Sequence, residues 1–402
     1  MTDSLVRRYR HAFGLKYGVN PHQSPAAVYK LEQGRLPFRV VNGAPGYINL
    51  LDALNAWQLV RELRGALGVP AAASFKHVSP AGAAVGVPLS PELARTYEAA
   101  QEGGGELSPL ALAYLRARQA DPKSSFGDFA AMSDPIDVST AQLLKTEVSD
   151  GLIAPGFEPG AVDILKGKKG GGYILLEADP AYRPPELEVK EVFGVALTQK
   201  RNDAEINPDR LGRPVTRNQA LTPEAARDLT LAALTLKYTQ SNSVGYALDG
   251  QMIGVGAGQQ SRVDCTRLAG MKAEVWFLRQ HPDVIGLPFR SGVNRAGRTN
   301  GRVAMIEGGF TPQERSAWDT LFDKPPAPLT EEAKAAWLRD LRGVSLASDA
   351  FFPFRDSIDQ AAKRGVQFVW QPGGSVSDKD VIGACDDYGM VMVCSGLRLF
   401  HH

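Results

Sequence analysis

The chain has 402 residues, 44% hydrophobic and 22% charged, with 45 basic and 44 acidic side chains and a formal net charge of +1. That composition supplies one or more packed cores, excludes a disordered chain, and by length fits two or three domains or one doubled unit. The near-zero charge argues against a protein that wraps nucleic acid, which carries a basic excess.

Segment 47–67 places Ile48, Leu51, Leu54, Leu59 and Leu63 at near-helical spacing and reads as an amphipathic helix. Residues 70–78 read as a short buried strand that runs into a Ser-Pro-Ala-Gly loop. A helix is expected over 108–120, with Ser108 as N-cap and Pro109 at its first position. Strands are expected at 151–157 and 173–177, separated by a solvated loop at 166–172. The stretch 179–222 is rich in Pro, Arg, Asn and Asp and reads as a linker with one strand, 192–199, inside it. Thr222 and Pro223 open a helix to 238. Asp249-Gly250 between two apolar runs in 243–258 signals a two-residue hairpin. A helix over 262–280 follows, then a Gly- and Arg-rich loop at 286–310. Helices near 330–342, 355–364 and 378–388 alternate with strands near 366–370 and 390–394. Alternating helices and short apolar strands in both halves point to α/β layers.

No uncharged apolar run approaches the roughly 18 residues of a membrane span, and the polar N-terminus with Arg7 and Arg8 lacks a secretory apolar core. Three cysteines (Cys265, Cys385, Cys394) build no disulfide framework, and no C-x-x-C or H-E-x-x-H occurs. A cytoplasmic protein without zinc is expected. Glycine (41) and proline (27) make up about 17% of the chain against an average near 12%. Many tight loops follow, where binding backbone tends to sit.

Four clusters carry chemical potential. In Phe75-Lys76-His77-Val78-Ser79-Pro80-Ala81-Gly82, a strand entering a loop puts Lys76 and His77 at the carboxyl end of a sheet, where open α/β folds bind ligands. Histidine suits a general base and lysine an oxyanion or proton donor; a surface lysine beside a core histidine is the alternative. Gly254-Val255-Gly256-Ala257-Gly258 before a helix offers backbone N–H groups to an anion, or forms only a tight turn. Lys237 to Ser243 ends a helix in hydroxyls and amides that suit a hard cation, a polar ring or plain capping. Ser348 to Asp356 joins three phenylalanines to charged groups, a wall for a flat heterocycle or a hydrophobic staple. Pro372-Gly373-Gly374-Ser375 is a further candidate seat for a phosphate or carboxylate.

In this order the clusters resemble the transformylase part of the bifunctional purine-synthesis enzyme family, 5-aminoimidazole-4-carboxamide ribonucleotide (AICAR) formyltransferase. The matching stretches are LKYGVNPHQ at 15–23, NGAPGYINLLDALNAWQLV at 42–60, SFKHVSPAGAAVG at 74–86, SSFGDF at 124–129 and EVSDGLIAPG at 147–156. KYTQSNSVGYA at 237–247, GVGAGQQSRVDCTRLAG at 254–270, SDAFFPFRD at 348–356 and LRLFHH at 397–402 continue it. The resemblance runs from about residue 15 to 402. It implies an α/β fold of two tandem cytidine-deaminase-like α/β/α units without the deaminase zinc signature. The units fall at 1–180 and 223–402, joined by a linker at 181–222.

By resemblance, the reaction moves a formyl group from 10-formyltetrahydrofolate to the 5-amino group of AICAR. Lys76, His77 and Asn242 are then the catalytic set. Lys16, Tyr17, Gly127, Asp150, Arg262, Asn300, Phe351, Pro353, Asp356, Ser375, Arg398 and Phe400 bind AICAR or folate. Thr239, Ser241, Ser243, Asp349, Leu399 and His401 match a potassium site. Lysine stands at 16 where relatives usually carry arginine, and it lacks arginine's planar fork; lysine also stands at 123 where a relative has methionine. A relative with an altered acceptor or formyl donor, or a non-catalytic nucleotide-binding partner, are the rival readings. The resemblance also implies a cytoplasmic homodimer with interfacial sites. The bifunctional enzymes carry an IMP cyclohydrolase domain of about 200 residues before this region, where about 14 stand here. Ring closure is therefore expected from a separate cyclohydrolase, unless the sequence is a piece of a longer chain. Neither nucleic acid nor membrane is an expected partner.

Overall fold

The computed structural model describes residues 4–99 and 106–402. A hairpin of β1 (Tyr9–Leu15) and β2 (Ala26–Leu31) precedes β3 (Phe38–Asn42) and α1 (Tyr47–Leu67). Then come β4 (Ala71–Lys76), β5 (Ser79–Val85), α2 (Pro91–Thr96), α3 (Pro109–Ala120), β6 (Asp128–Met132), α4 (Val138–Thr146), β7 (Ser149–Ala154), α5 (Ala161–Lys166) and β8 (Ile174–Ala178). A second hairpin, β9 (Leu187–Val192) and β10 (Val195–Lys200), leads to α6 (Pro223–Lys237), β11 (Val244–Leu248), β12 (Gln251–Gly256) and α7 (Arg262–Leu278). Four helices follow: α8 (Pro282–Ile285), α9 (Arg295–Glu307), α10 (Pro312–Asp319) and α11 (Glu331–Leu338). The chain closes with β13 (Val344–Ser348), α12 (Asp356–Ala362), β14 (Val366–Gln371), α13 (Asp378–Asp387) and β15 (Val391–Cys394).

Eleven strands form one sheet in the order β15-β14-β13-β11-β12-β5-β4-β6-β7-β8-β3. Without the edge strand β3, its two sides repeat one plan. A helix leads into an antiparallel hairpin (β4–β5 or β11–β12), whose first strand pairs antiparallel with a run of three parallel strands. The repeats meet where β5 and β12 pair antiparallel, Ala84 opposite Gln251, and the Val85 N–H donates to the Gly250 carbonyl at 2.9 Å.

Strand alternation divides the core between two faces. Ala71, Ala73, Phe75, Ala83, Phe129, Ala131 and Ile153 pack toward α1 and α6. Ala72, Ala84, Ala130, Met132, Leu152 and Ala154 pack toward α3, α4 and α7 on the other face. Helices α8–α11, which have no counterpart in the first repeat, surround a third core around Trp318, Phe322, Met305 and Ile306.

Local chemistry explains most helix starts. The Ser108 hydroxyl accepts from the Ala111 N–H at 3.1 Å and that of Thr222 from the Ala225 N–H at 3.2 Å, each with proline at the first helical position. The expected Asp249-Gly250 turn is present, with φ of 52° and 72°.

Four expectations are corrected. Residues 79–85 form strand β5, not a loop. Gly82 is required there because a Cβ would lie 2.2 Å from the Ala117 carbonyl oxygen of α3. Gly254 and Gly256 lie inside β12 and let α7 approach, with a Cβ at Gly254 falling 2.1 Å from the Ala269 carbonyl oxygen. Close helix packing, not anion binding, accounts for these two glycines. The 286–310 loop contains α9: Asn294 caps it, and Gly301 presses on Phe289 while its carbonyl accepts from Trp318 Nε1 at 2.9 Å. The single strand at 192–199 is a hairpin whose turn is Phe193-Gly194. The N-terminal hairpin and β3 had no counterpart in the sequence reading.

Candidate functional site

A cavity of about 270 Å³ opens at the β4–β5 turn. Lys76 and His77 line it together with Tyr17, Tyr47, Asn49, Asp52, Gly127 and Asp150. Its place corrects the sequence reading. Lys76 ends β4, but β4 runs antiparallel to β6, so the cavity lies at the amino ends of the parallel strands β6 and β7.

The Lys76 ammonium donates to the carbonyls of Phe126 at 2.8 Å and Gly127 at 3.1 Å. These neutral acceptors hold the cation in place while leaving its charge. A buried ion-pair network fixes the loop that carries them. Arg118 donates to Asp128 at 2.8 Å, Glu147 at 2.8 Å and the Ser125 carbonyl at 2.8 Å, and the Ser74 hydroxyl donates to Asp128 at 2.7 Å. Gly127 has φ of 73°, and a Cβ there would stand 3.1 Å from Lys76 Nζ.

His77 and Val78 form the two-residue turn with φ of 52° and 61°. Such turns favour Asn-Gly or Asp-Gly, and a β-branched residue at positive φ is a genuine outlier. The Val78 N–H donates to the Asp52 carboxylate of α1 at 2.6 Å. Burial pushes that carboxyl up to about 6, against the pull of the Val78 N–H, His77 and Lys76.

A second cluster sits at the same end of the strands, where β11 begins and β13 ends. Asp349, fully buried, accepts from the Ser241 hydroxyl at 2.6 Å and from the Ser243 N–H and hydroxyl, each at 3.0 Å. It also pairs with Arg262, whose guanidinium donates to the Ser243 carbonyl at 3.1 Å and to Asn242 Oδ1 at 2.7 Å. The Leu399 N–H donates to the Asp349 carbonyl at 2.8 Å, and the Ser241 N–H to the His401 carbonyl at 3.0 Å. Ser241, Asn242, Ser243, Arg262, Asp349, Leu399 and His401 thus form one hydrogen-bonded cluster, while the hydroxyl of the buried Thr239 donates to the Thr235 carbonyl. The Gln240 N–H reaches the Ser79 hydroxyl at 3.3 Å and ties this cluster to the β4–β5 hairpin.

The remaining expected residues are dispersed. Lys16 is exposed, its ammonium 5.8 Å from the Tyr17 ring centre. Asp150 forms an ion pair with Lys169. Asn300, on α9, lines a groove with Phe126 and Lys123, and Lys123 pairs with Glu307 at 3.2 Å. Phe351 and Pro353 follow β13, Asp356 opens α12, and Ser375 follows β14, where its hydroxyl accepts from the Ser377 N–H at 3.1 Å. Arg398 stacks 4.7 Å over the Phe400 ring, and Phe400 faces a separate cleft shared with Tyr238 and His401. Asp52 was missed, although a lone carboxylate on the otherwise apolar stripe of α1 was a usable signal. Arg118 and Asp128 gave no local signal.

The AICARFT/IMPCHase bienzyme family profile matches residues 1–272. The chain belongs to this family. It is similar to the bifunctional purine biosynthesis protein PurH of Acidithiobacillus ferrooxidans, 31% identical over 403 residues that cover all of this chain and 60% of the relative. PurH of Roseobacter denitrificans is 31% identical over 406 residues, covering 98% of this chain and 61% of the relative. The chain thus spans about three fifths of the length of these family members. Among the described residues, no helix is long and apolar enough to cross a membrane.

Proposed function

We propose that this chain transfers a formyl group from 10-formyltetrahydrofolate to the 5-amino group of AICAR, giving the formylated nucleotide and tetrahydrofolate in purine biosynthesis. The observation that carries the reading is the pairing of Lys76 and His77 in one cavity, with the lysine held by carbonyl oxygens. The aromatic amine is a weak nucleophile because its lone pair is delocalised. As its nitrogen attacks the formyl carbon, His77 accepts the amine proton. Lys76 stabilises the tetrahedral oxyanion, then helps protonate the folate nitrogen as the bond between formyl carbon and that nitrogen breaks. Tyr17, Gly127 and Asp150 bind the nucleotide, with Lys16 toward its phosphate, and Asn242 orients the reacting groups. Arg262, Phe351, Pro353, Asp356, Ser375, Arg398 and Phe400 complete the nucleotide and folate surfaces, and Asn300 lies on the folate side. Positioning supplies much of the acceleration. Purified protein given AICAR and 10-formyltetrahydrofolate releases tetrahydrofolate; no turnover overturns the reading.

The finer architecture belongs to the same proposal. Two deaminase-like units at 1–180 and 223–402, joined through 181–222, are supported by the repeated strand order. A homodimer with shared sites is supported by the hairpin β9–β10, which leaves Leu187, Val192, Phe193, Val195 and Leu197 exposed. Light scattering is expected to give twice the chain mass at micromolar concentration, and a monomer counts against shared sites. The oxygen-only donors Thr239, Ser241, Ser243, Asp349 and the backbone of Leu399 and His401 fit a hard monovalent cation such as potassium, which would rigidify the segment carrying Asn242. The setting proposed is cytoplasmic.

A further inference from the structure

The two repeats carry the same bond at the same place. Asp52 is the sixth residue of α1 and Asp228 the sixth of α6, the helices that lead into the two hairpins. Asp228 accepts from the N–H groups of Asp249 and Gly250, each at 2.7 Å, and so holds the β11–β12 turn. Asp52 accepts from Val78 at 2.6 Å and so holds the β4–β5 turn. The turns themselves differ. One is Asp-Gly, which adopts positive φ readily; the other is His-Val, which does not. The same fold position is relaxed in one copy and strained in the other, and the strained copy faces the cavity. Strained backbone persists only where its surroundings over-determine it, and such positions cluster at functional sites.

We infer that Asp52 is a positioning residue whose hydrogen bond to Val78 keeps the His77-Val78 turn left-handed, and thereby holds the His77 imidazole in the cavity. This rests on the formyl-transfer reading for its kinetic consequence, but not for its structural one. Among the described residues, no arginine pairs with the Asp52 carboxylate as Arg227 pairs with Asp228 at 2.9 Å. The charged and titratable groups around Asp52 are Lys76 at the end of β4, His77 on the turn, Asp128 on β6, Tyr47 at the start of α1, and Tyr17 and Asp150 on the cavity lining. Burial and Asp128 favour its neutral form, whereas Lys76, His77 and the Val78 N–H favour the carboxylate. A single buried acceptor that serves one strained turn, and no ion pair, is what positioning requires.

The test compares Asp52→Ala, Asp52→Asn and Asp228→Ala in the full chain. Asparagine keeps an oxygen for the Val78 N–H; alanine does not. Asp52→Ala is expected to lower kcat about 100-fold, the order of loss for a reacting group displaced by an ångström. The KM for AICAR stays near the wild-type value. Asp52→Asn restores most of the rate, and Asp228→Ala lowers the melting temperature while its folded fraction keeps its kcat. In the free protein, the ring-nitrogen NMR signals of His77 shift in Asp52→Ala and remain near wild type in Asp52→Asn. Equal kcat losses in Asp52→Ala and Asp228→Ala, or unchanged His77 signals in a folded Asp52→Ala, overturn the inference. Should the wild type show no turnover, the formyl-transfer reading fails, and the NMR comparison still decides the role of Asp52.

Discussion

Replacing His77 with alanine is expected to lower kcat for formyl transfer by about 10²- to 10⁴-fold, the usual worth of a positioned general base. The imidazole lies in an exposed two-residue turn and lines the cavity. Its removal takes away a proton acceptor without opening a void in the core. Folding stability and AICAR affinity should therefore change little, and the loss should appear in kcat rather than KM. Lys76→Met keeps the apolar stem of the side chain and removes the charge that meets the oxyanion. It is expected to cost about 10²- to 10³-fold, the range measured for a lost oxyanion donor. Because the two groups act on one transition state, the double variant should lose much less than the product of the single losses. Steady-state release of tetrahydrofolate, measured with AICAR varied, separates these outcomes. Wild-type kcat in His77→Ala would sink its role as proton acceptor, and wild-type kcat in Lys76→Met would sink the oxyanion role.

The sequence disclosed the parts of the fold that rest on local chemistry. Ser108-Pro109 and Thr222-Pro223 mark helix starts because capping and proline geometry are properties of a few adjacent residues. Asp249-Gly250 marks a hairpin for the same reason. The failures share a different cause. Gly254 and Gly256 look like a loop by composition, yet their lack of a Cβ serves the close approach of α7, a contact visible only in three dimensions. Gly301 concealed α9 in the same way, because packing against Phe289 and Trp318 overrides glycine's poor helix propensity. His77-Val78 breaks the turn rule that served at 249–250, so β5 was read as a loop. That local violation is the sequence trace of the site. Motif resemblance named Lys76, His77, Asn242 and Asp349, but the joining of residues near 242, 262, 349 and 400 depends on strand order, which no single stretch encodes.

Asp349→Ala is expected to destabilise the chain by about 3–5 kcal/mol, the cost of stranding one member of a buried ion pair. The carboxylate takes three hydrogen bonds from Ser241 and Ser243 in addition to the Arg262 pair. Without it, the buried guanidinium keeps, among the described residues, the Ser243 carbonyl and Asn242 Oδ1 as acceptors. Neither neutralises a full charge. The Leu399 N–H bonds to the Asp349 main chain and survives the substitution, so the C-terminal segment loosens mainly where Ser241 meets His401. Replacing both partners, as in Arg262→Met with Asp349→Leu, removes the stranded charge and should recover a large part of the lost stability. Urea unfolding at constant m-value measures both variants. A stability for Asp349→Ala within about 1 kcal/mol of wild type, the scale of an exposed pair, would show that the pair is solvated and not buried. Activity separates the two consequences. In the double variant Asn242 loses the Arg262 guanidinium that holds its side-chain oxygen, so that variant should regain folding without regaining kcat. Recovery of both together would remove Asn242 from the set that orients the reacting groups.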